Sequence, residues 1–498
     1  MALAVAVALV LAAAALFTGG SGVQNFSAGD TAYWLNSGWR IAHGQVPHRD
    51  FTLTTGTTVA YLAAAGQALR GATVGSIAAG QAVAGLLLGG AAFLVLRRRT
   101  TPLLTAVGAL CCALLVMATR QPGEWPHLHS HAFLYNRLAE ALLALLVWIT
   151  TVRPVTAHRI GDALESAGAG ALLALLFLTK ISYGLVGAGW IGLTVVLGLL
   201  PVRHWLPLAA GFFASATFAA QAFGLAWWWA DVSAPFRTGF DGVLVPRLPA
   251  AAIKNAPALL AFAALLGLAW KRMVNRPWRM ALLALAAWGV ATLSAASTQQ
   301  RQEYALCGTV LIALAALLTQ RSFAATRGWT RALLVLALLY NAPRMALDAA
   351  SLAGSWMQRH ETTVPDARVD AGPLADFRLA PNNAGYAELL NDGLTLLRAH
   401  TKADDRVMTI DWSDPFAFAL QRPPPKGGAV LWANGFSFND TTGPDAARIF
   451  RGVPWVLVRR DPLYEPPFTT LYRERLAADY VLAAESAHFR LWRPRPSP

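Results

Sequence analysis

The stretch from residue 29 to 51 gathers side chains that can do chemistry. It reads Gly29-Asp30-Thr31-Ala32-Tyr33-Trp34, then Gly38-Trp39-Arg40, then Gly44-Gln45-Val46-Pro47-His48-Arg49-Asp50-Phe51. Asp30 and Asp50 are carboxylates able to take a proton from a hydroxyl. Tyr33, Trp34, Trp39 and Phe51 offer aromatic faces that stack on sugar rings or settle at a lipid interface. Arg40 and Arg49 are suited to a phosphate. A connector of this length needs none of these groups. The competing assignment for Asp30 is structural, because an Asp ahead of a Tyr-Trp-Leu run makes a good helix N-cap. Asp50 suits substrate binding, metal binding or a purely structural role.

Further along, Lys180 closes an otherwise apolar run, AGALLALLFLTK. A cation at membrane depth is a functional candidate by default. The alternative is a side chain that snorkels to the headgroups. Tyr135-Asn136-Arg137 opens another apolar run and offers a second cation, Arg137. The short polar stretch 297–303 offers a third, Arg301, next to Glu303. His127, His129 and His131 alternate; on an extended segment all three imidazoles would face one way and, with Glu124, could hold a divalent metal. The run Trp227-Trp228-Trp229 is read as an interfacial aromatic belt.

What positions these residues follows from composition. The chain has 498 residues, 55% of them hydrophobic and only 14% charged. A soluble domain carries about 25% charged residues, so half that figure leaves too little polar surface to coat a globule. Runs of about 17–25 apolar residues predict about eleven membrane helices. They lie near 2–18, 74–96, 101–118, 132–151, 164–181, 183–200, 205–226, 256–270, 280–296, 304–320 and 331–348, with 56–70 lying along the surface. Met1 to Phe17 has no basic residue ahead of its apolar stretch, so it reads as an uncleaved first helix rather than a signal peptide.

The net charge of +14 is not a nucleic-acid footprint. Its arginines cluster between apolar runs, at Arg97-Arg98-Arg99, Arg153, Arg159, Arg203, Arg272, Arg321 and Arg331, as cytoplasmic loops do. With the N-terminus in the cytoplasm, every such cluster falls inside. Loops 19–55, 119–131, 227–255 and 297–303 fall outside, together with the C-terminal region. The cysteines Cys111, Cys112 and Cys307 lie in apolar runs and suggest neither disulfides nor a metal knuckle. Near residue 350 Gly, Pro, Asp and Asn become common. A helix is predicted at 386–400 and strands at 406–410, 453–458, 480–484 and 488–492, so 350–498 reads as an extracytoplasmic α/β domain behind a transmembrane domain, 1–349.

An acid in the first outer loop, followed by Gly44-Gln45-Val46-Pro47-His48-Arg49-Asp50-Phe51, resembles the polytopic glycosyltransferases of the GT-C fold, the family 39-like bacterial enzymes that use polyprenyl-phosphate sugars. Tyr135-Asn136-Arg137 and Thr179-Lys180-Ile181-Ser182-Tyr183 are similar to bacterial members. The resemblance implies an inverting transfer at the outer face of a bacterial inner membrane, from a lipid-phosphate donor to a glycan, lipid or protein acceptor. It implies Asp30 as base, with Lys180, Arg137 and Arg301 on the donor phosphate and Asp50, Arg49, Trp34 and Tyr33 around the substrate. No cofactor is required, and a divalent metal ion at His127, His129 and Glu124 is the one the loop could take. Family members often carry paired acids where this chain has Asp30-Thr31. Two other readings stand beside it: a flippase for lipid-linked saccharides, and a non-catalytic protein of envelope-glycan assembly.

Overall fold

Each apolar segment expected in the bilayer folds as a helix, the structure that satisfies its own amides where water is absent. The computed structural model describes residues 1–20, 22–24, 27–121, 124–156, 158–239, 244–269, 277–297, 305–321, 327–360 and 368–496. The helical part runs α1 (Ala2–Gly19), α2 (Ala28–Ala42), α3 (Thr57–Arg70), α4 (Ser76–Arg97), α5 (Pro102–Met117), α6 (Leu134–Thr151), α7 (Arg159–Thr179), α8 (Ile181–Val196), α9 (Trp205–Ala219), α10 (Leu225–Val232), α11 (Ala234–Arg237), α12 (Leu244–Lys254), α13 (Ala256–Ala269), α14 (Pro277–Ser297), α15 (Leu306–Arg321) and α16 (Arg327–Met357).

Among the described residues seven helices are long and apolar enough to cross a membrane, the bent pair α12–α13 makes an eighth, and α5, α8 and α15 are shorter apolar helices. Together they account for the eleven expected segments of this multi-pass membrane protein. Two expectations change. Residues 227–255 are largely helical, because α9 passes through a π-turn at Ala220–Gly224 and continues as α10 through the tryptophan run. The division expected at 349/350 falls inside α16, which runs on to Met357.

The two ends of the bundle differ chemically. At one end Arg98 pairs with Asp162 (2.8 Å) and Glu165 (2.5 Å), and Arg99 also bonds Glu165. Gln320 there reaches the Arg99 (2.5 Å) and Arg153 (2.7 Å) carbonyls, and Ser166 meets His204 at 2.8 Å. Among the described residues the loops of Arg97–Arg99, Arg153 and Arg203 therefore collect at a single end, and Arg272 lies outside the described residues. The other end carries α2, the histidine loop, the α7–α8 break and the C-terminal domain.

That domain packs α17 (Ala384–His400) on a sheet of β1 (Val407–Ile410), β2 (Trp455–Arg459), β3 (Tyr480–Glu485) and β4 (Phe489–Pro494). The strand order is β1-β2-β4-β3, with β1 and β2 parallel and the other pairs antiparallel. Its apolar side is not separate from the bundle: Val407, Phe416, Leu431, Leu457 and Phe489 belong to the same buried cluster as Leu35, Phe51 and Leu142.

Buried charge fastens the two parts. Arg40 of α2 faces Asp414 at 3.7 Å, both fully buried, and donates to the Pro425 (2.9 Å) and Gly427 (3.0 Å) carbonyls. Asp231, at the end of α10, accepts from both guanidinium nitrogens of Arg448 (2.6 and 3.1 Å), from the Leu53 amide (3.0 Å) and from His48 Nδ1 (2.9 Å). Arg448 donates in turn to the His48 carbonyl. The first loop is thus held from below by α10 and from above by the C-terminal domain.

Candidate active site

Asp30 sits in the first turn of α2, three residues after Ser27, whose left-handed backbone (φ 48°) starts the helix. A helix N-terminus favours a negative charge. The N-cap position belongs to Ser27, so Asp30 is not the capping residue. Its carboxylate accepts hydrogen bonds from the Ser27 hydroxyl and from the Trp412 indole, which follows β1. Burial outweighs these bonds and pushes its pKa from 3.8 up to about 6. Desolvation penalises the charged form, and the two donors restore part of the loss. Gly29 lets Trp412 approach: a Cβ there would stand 2.8 Å from the indole Cδ1.

Three tyrosines, Tyr33, Tyr135 and Tyr386, lie close enough to feel the Asp30 charge. Tyr33 donates to Thr55 (2.9 Å to Oγ1), and Tyr386 meets Ser413 at 3.3 Å. Tyr135, in the first turn of α6, is within electrostatic reach of Asp30. Lys180 occupies the extended break between α7 and α8 and places its ammonium 5.1 Å from the Tyr135 ring centroid and 5.8 Å from that of Tyr183. It donates to Asn136 Oδ1 at 3.1 Å. Glu140, a turn further into α6, accepts from the Tyr183 hydroxyl (3.1 Å) and the Ala305 amide (2.9 Å), and its charge reaches Lys180. Tyr135 is therefore within electrostatic reach of Asp30 and carries the Lys180 ammonium 5.1 Å from its ring centroid.

An apolar cavity of about 210 Å³ lies between α7 and the α9–α10 segment. Its lining includes Phe177 and Leu178, in the turn of α7 that ends at Lys180, with Phe212, Phe223 and Trp228 opposite. Its lining is wholly apolar, Ala, Leu, Phe and Trp side chains.

The other expected site residues are placed differently. Arg137 follows Asn136 by one residue, which turns it about 100° around the helix axis. It is buried, bonds the Ala118 carbonyl and lies within electrostatic reach of Asp348, Arg120 and Glu140, the last of which also acts on Lys180. Arg301 lies outside the described residues. Trp34 is buried behind Asp30, against Tyr33 (4.3 Å) and Tyr135 (6.1 Å), with its indole donating to the His131 carbonyl; it forms a wall rather than a sugar platform. Tyr33 is buried alongside it. Asp50 is bound within its own loop and to the C-terminal domain: it accepts from the Val46 amide (2.8 Å) and pairs with Arg49 (3.1 Å) and Arg451 (3.8 Å). Burial pushes its pKa up, but these partners prevail and hold it below the usual carboxylate value. Arg49 is exposed beyond it.

The metal expectation does not hold in the geometry. His127 is exposed, whereas His129 and His131 are buried, so alternation does not bring His127 and His129 to one side. His129 Nδ1 meets the Thr119 hydroxyl at 2.9 Å, and Glu124 gives its carbonyl to Arg120. Burial lowers the pKa of His129 to about 4 and that of His131 to about 3. Among the described residues no three His, Cys, Asp or Glu are placed to hold a metal ion.

Two contributors were not expected from the sequence. Glu140 carried a usable signal, a lone acid inside an apolar helix. The run Asp411-Trp412-Ser413-Asp414 resembles a carbohydrate-contacting surface, but nothing in it tied Trp412 to Asp30.

No family model matches the chain, and no curated protein does. Among solved structures it is similar to ArnT from Cupriavidus metallidurans bound to undecaprenyl phosphate, at 13% identity and a TM-score of 0.47, over 99% of this chain and 98% of that one. The apo form of the same protein gives 15% identity, a TM-score of 0.45 and coverage of 98% and 97%. An Archaeoglobus fulgidus oligosaccharyltransferase in complex with zinc and sulfate gives 13%, 0.39, and 91% of this chain against 67% of that one.

Proposed function

We propose that this chain is a membrane glycosyltransferase that moves a sugar from a polyprenyl-phosphate donor to an acceptor hydroxyl on the extracytoplasmic side of a bacterial inner membrane. The observation that carries the reading is a buried carboxylate with a pKa near 6, Asp30, within electrostatic reach of Tyr135, whose ring also holds the Lys180 ammonium at 5.1 Å. Asp30 takes the proton of the acceptor hydroxyl, and the freed oxygen forms the new bond to the anomeric carbon as the bond from that carbon to the phosphate oxygen breaks. The electron pair leaves with the lipid phosphate, whose charge Lys180 meets. A phosphate leaves without a strong acid, so one base and one cation suffice. Attack opposite the leaving group inverts the anomeric centre. The polyprenyl chain suits the cavity lined by Phe177, Phe212 and Phe223.

The test uses the full chain in vesicles with a labelled lipid-linked sugar and an acceptor extract. Wild type should form a glycosidic bond, and Asp30→Asn should lose transfer at unchanged membrane abundance. Full transfer by Asp30→Asn removes the assignment of the base. Translocation of the label without bond formation in wild type would instead make the chain a flippase.

A further inference from the structure

The sheet of the C-terminal domain turns one edge toward Asp30. β1 and β2 run parallel, so their carboxyl ends lie side by side, with Asp411-Trp412-Ser413 after β1 and Arg460-Asp461 after β2. Beyond the carboxyl ends of parallel strands is where open α/β sheets take their ligands. Here that edge meets the first turn of α2, because Trp412 packs on Gly29 and its indole N–H reaches the Asp30 carboxylate.

The polar groups of this edge are tied to one another. Asp411 accepts from Arg459 (2.9 Å) and from the Trp412 amide (2.7 Å), and Arg459 also pairs with Asp461 (3.3 Å). The Tyr386 and Ser413 hydroxyls stand 3.3 Å apart. These bonds fix the turn that carries Trp412 and leave its ring open. The five-membered edge of the indole lies against α2: a Cβ at Gly29 would stand 2.8 Å from Cδ1 and 3.6 Å from Nε1. The residue as a whole is nevertheless 39% exposed. Among the described residues from 368 onward, Trp432 is fully buried, and Trp455 and Trp492 are partly buried.

The usual use of an exposed tryptophan in a membrane protein is as an interfacial anchor. Trp227 and Trp229 fit that use, with Leu225 and Phe236 exposed in the same stretch. Trp412 has a different setting, beside the Asp411–Arg459 ion pair and Ser413, which suits hydroxyl groups rather than acyl chains.

We propose that the open face of Trp412 is the platform on which a sugar ring of the acceptor stacks, so that the acceptor is a saccharide whose hydroxyl is presented to Asp30. The proposal rests on Asp30 being the base of the transfer. A sugar ring lays its C–H groups on an aromatic face and turns its hydroxyls outward to polar neighbours. The hydroxyl nearest the indole N–H then lies beside the Asp30 carboxylate. Its proton passes to Asp30, and its oxygen bonds the anomeric carbon of the donor. The electron pair of the broken bond leaves on the lipid phosphate.

The experiment uses the full chain in vesicles with a labelled lipid-linked sugar and an acceptor extract, and compares Trp412→Phe with Trp412→Leu. Both variants lose the N–H that reaches Asp30, and only Phe keeps an aromatic face, so their difference reads stacking alone. The extract concentration for half-maximal transfer should be about two- to tenfold higher for Leu than for Phe, the range of an aromatic contact. The donor concentration for half-maximal transfer should be the same in both. Linkage analysis of the wild-type product needs no variant and should place the label on a hydroxyl of another sugar. Equal half-saturation by the extract, or a rise that donor and extract share, overturns the platform. Label on an amino-acid side chain, a phosphate or a lipid alcohol overturns the saccharide. If wild type forms no glycosidic bond, the transferase reading falls and this inference with it, whereas bond formation with either of the other results overturns the inference alone.

Discussion

Replacing Asp30 by Asn should change both the rate and its dependence on pH. With a pKa of about 6, roughly 90% of the carboxylates are ionised at pH 7 and roughly 9% at pH 5. If Asp30 is the base, kcat/KM should fall about tenfold between those two pH values, with the acid limb centred near 6. A base with an ordinary carboxylate pKa would lose under about 10% over the same range. The Asn variant should lose about 10²- to 10⁴-fold in transfer at pH 7, the usual contribution of a general base. The same burial carries a stability signature of opposite sign. A carboxyl whose pKa rises on folding binds more protons when folded, so the native state loses stability as pH climbs from about 4 to about 6. That difference is at most about 3 kcal/mol, because the half-buried side chain keeps some contact with water. Asp30→Asn should therefore match wild type in thermal midpoint near pH 4 and exceed it above pH 6. Transfer that is flat from pH 5 to 7 in wild type, or an Asn variant less stable at pH 7.5 than wild type, refutes the reasoning.

Other substitutions probe the neighbours. Trp412→Phe removes a hydrogen bond that lowers the Asp30 pKa, so the acid limb should move to higher pH; an unmoved limb would detach Trp412 from the site. Lys180→Met should cut transfer at least about 10²-fold, whereas Lys180→Arg should recover part of it, measured at saturating donor; equal activity of the Met variant would remove the cation from the reaction. Arg448→Met leaves Asp231 buried without its ion pair and should lower unfolding stability by about 3–5 kcal/mol, read as a lowered thermal midpoint in detergent.

Much of the architecture was legible because membrane helices announce themselves by length and by the charges beside them. The strands of the C-terminal domain came out within a residue or two of their expected limits, at Val407–Ile410, Trp455–Arg459, Tyr480–Glu485 and Phe489–Pro494. The place of Asp30 between the first two apolar spans was readable, but its place in the first turn of α2 rather than in a loop was not. Side-chain direction was not. Asn136 and Arg137 are adjacent in sequence, yet only Asn136 faces Lys180, because successive helical residues point about 100° apart. His127 and His129 would share a face only on an extended segment, and the loop turns instead, with the His129 amide bonded to the His127 carbonyl. The tie of Asp50 to the C-terminal domain was not readable, because its partner Arg451 lies about four hundred positions away. Long-range closure of this kind leaves no local pattern, and the same holds for Trp412 over Asp30.

The seam between the first loop and the C-terminal domain has a consequence for biosynthesis. His48 and Arg448 are 400 residues apart, and Asp30 waits almost as long for Trp412. During synthesis the N-terminal segments fold first, so every spanning helix can be inserted while the loop that carries Asp30 still lacks its roof. A chain that stalls before residue 412 is a complete set of helices with an unfinished centre, and only the last-made part of the protein brings in the Trp412 indole that donates to the Asp30 carboxylate.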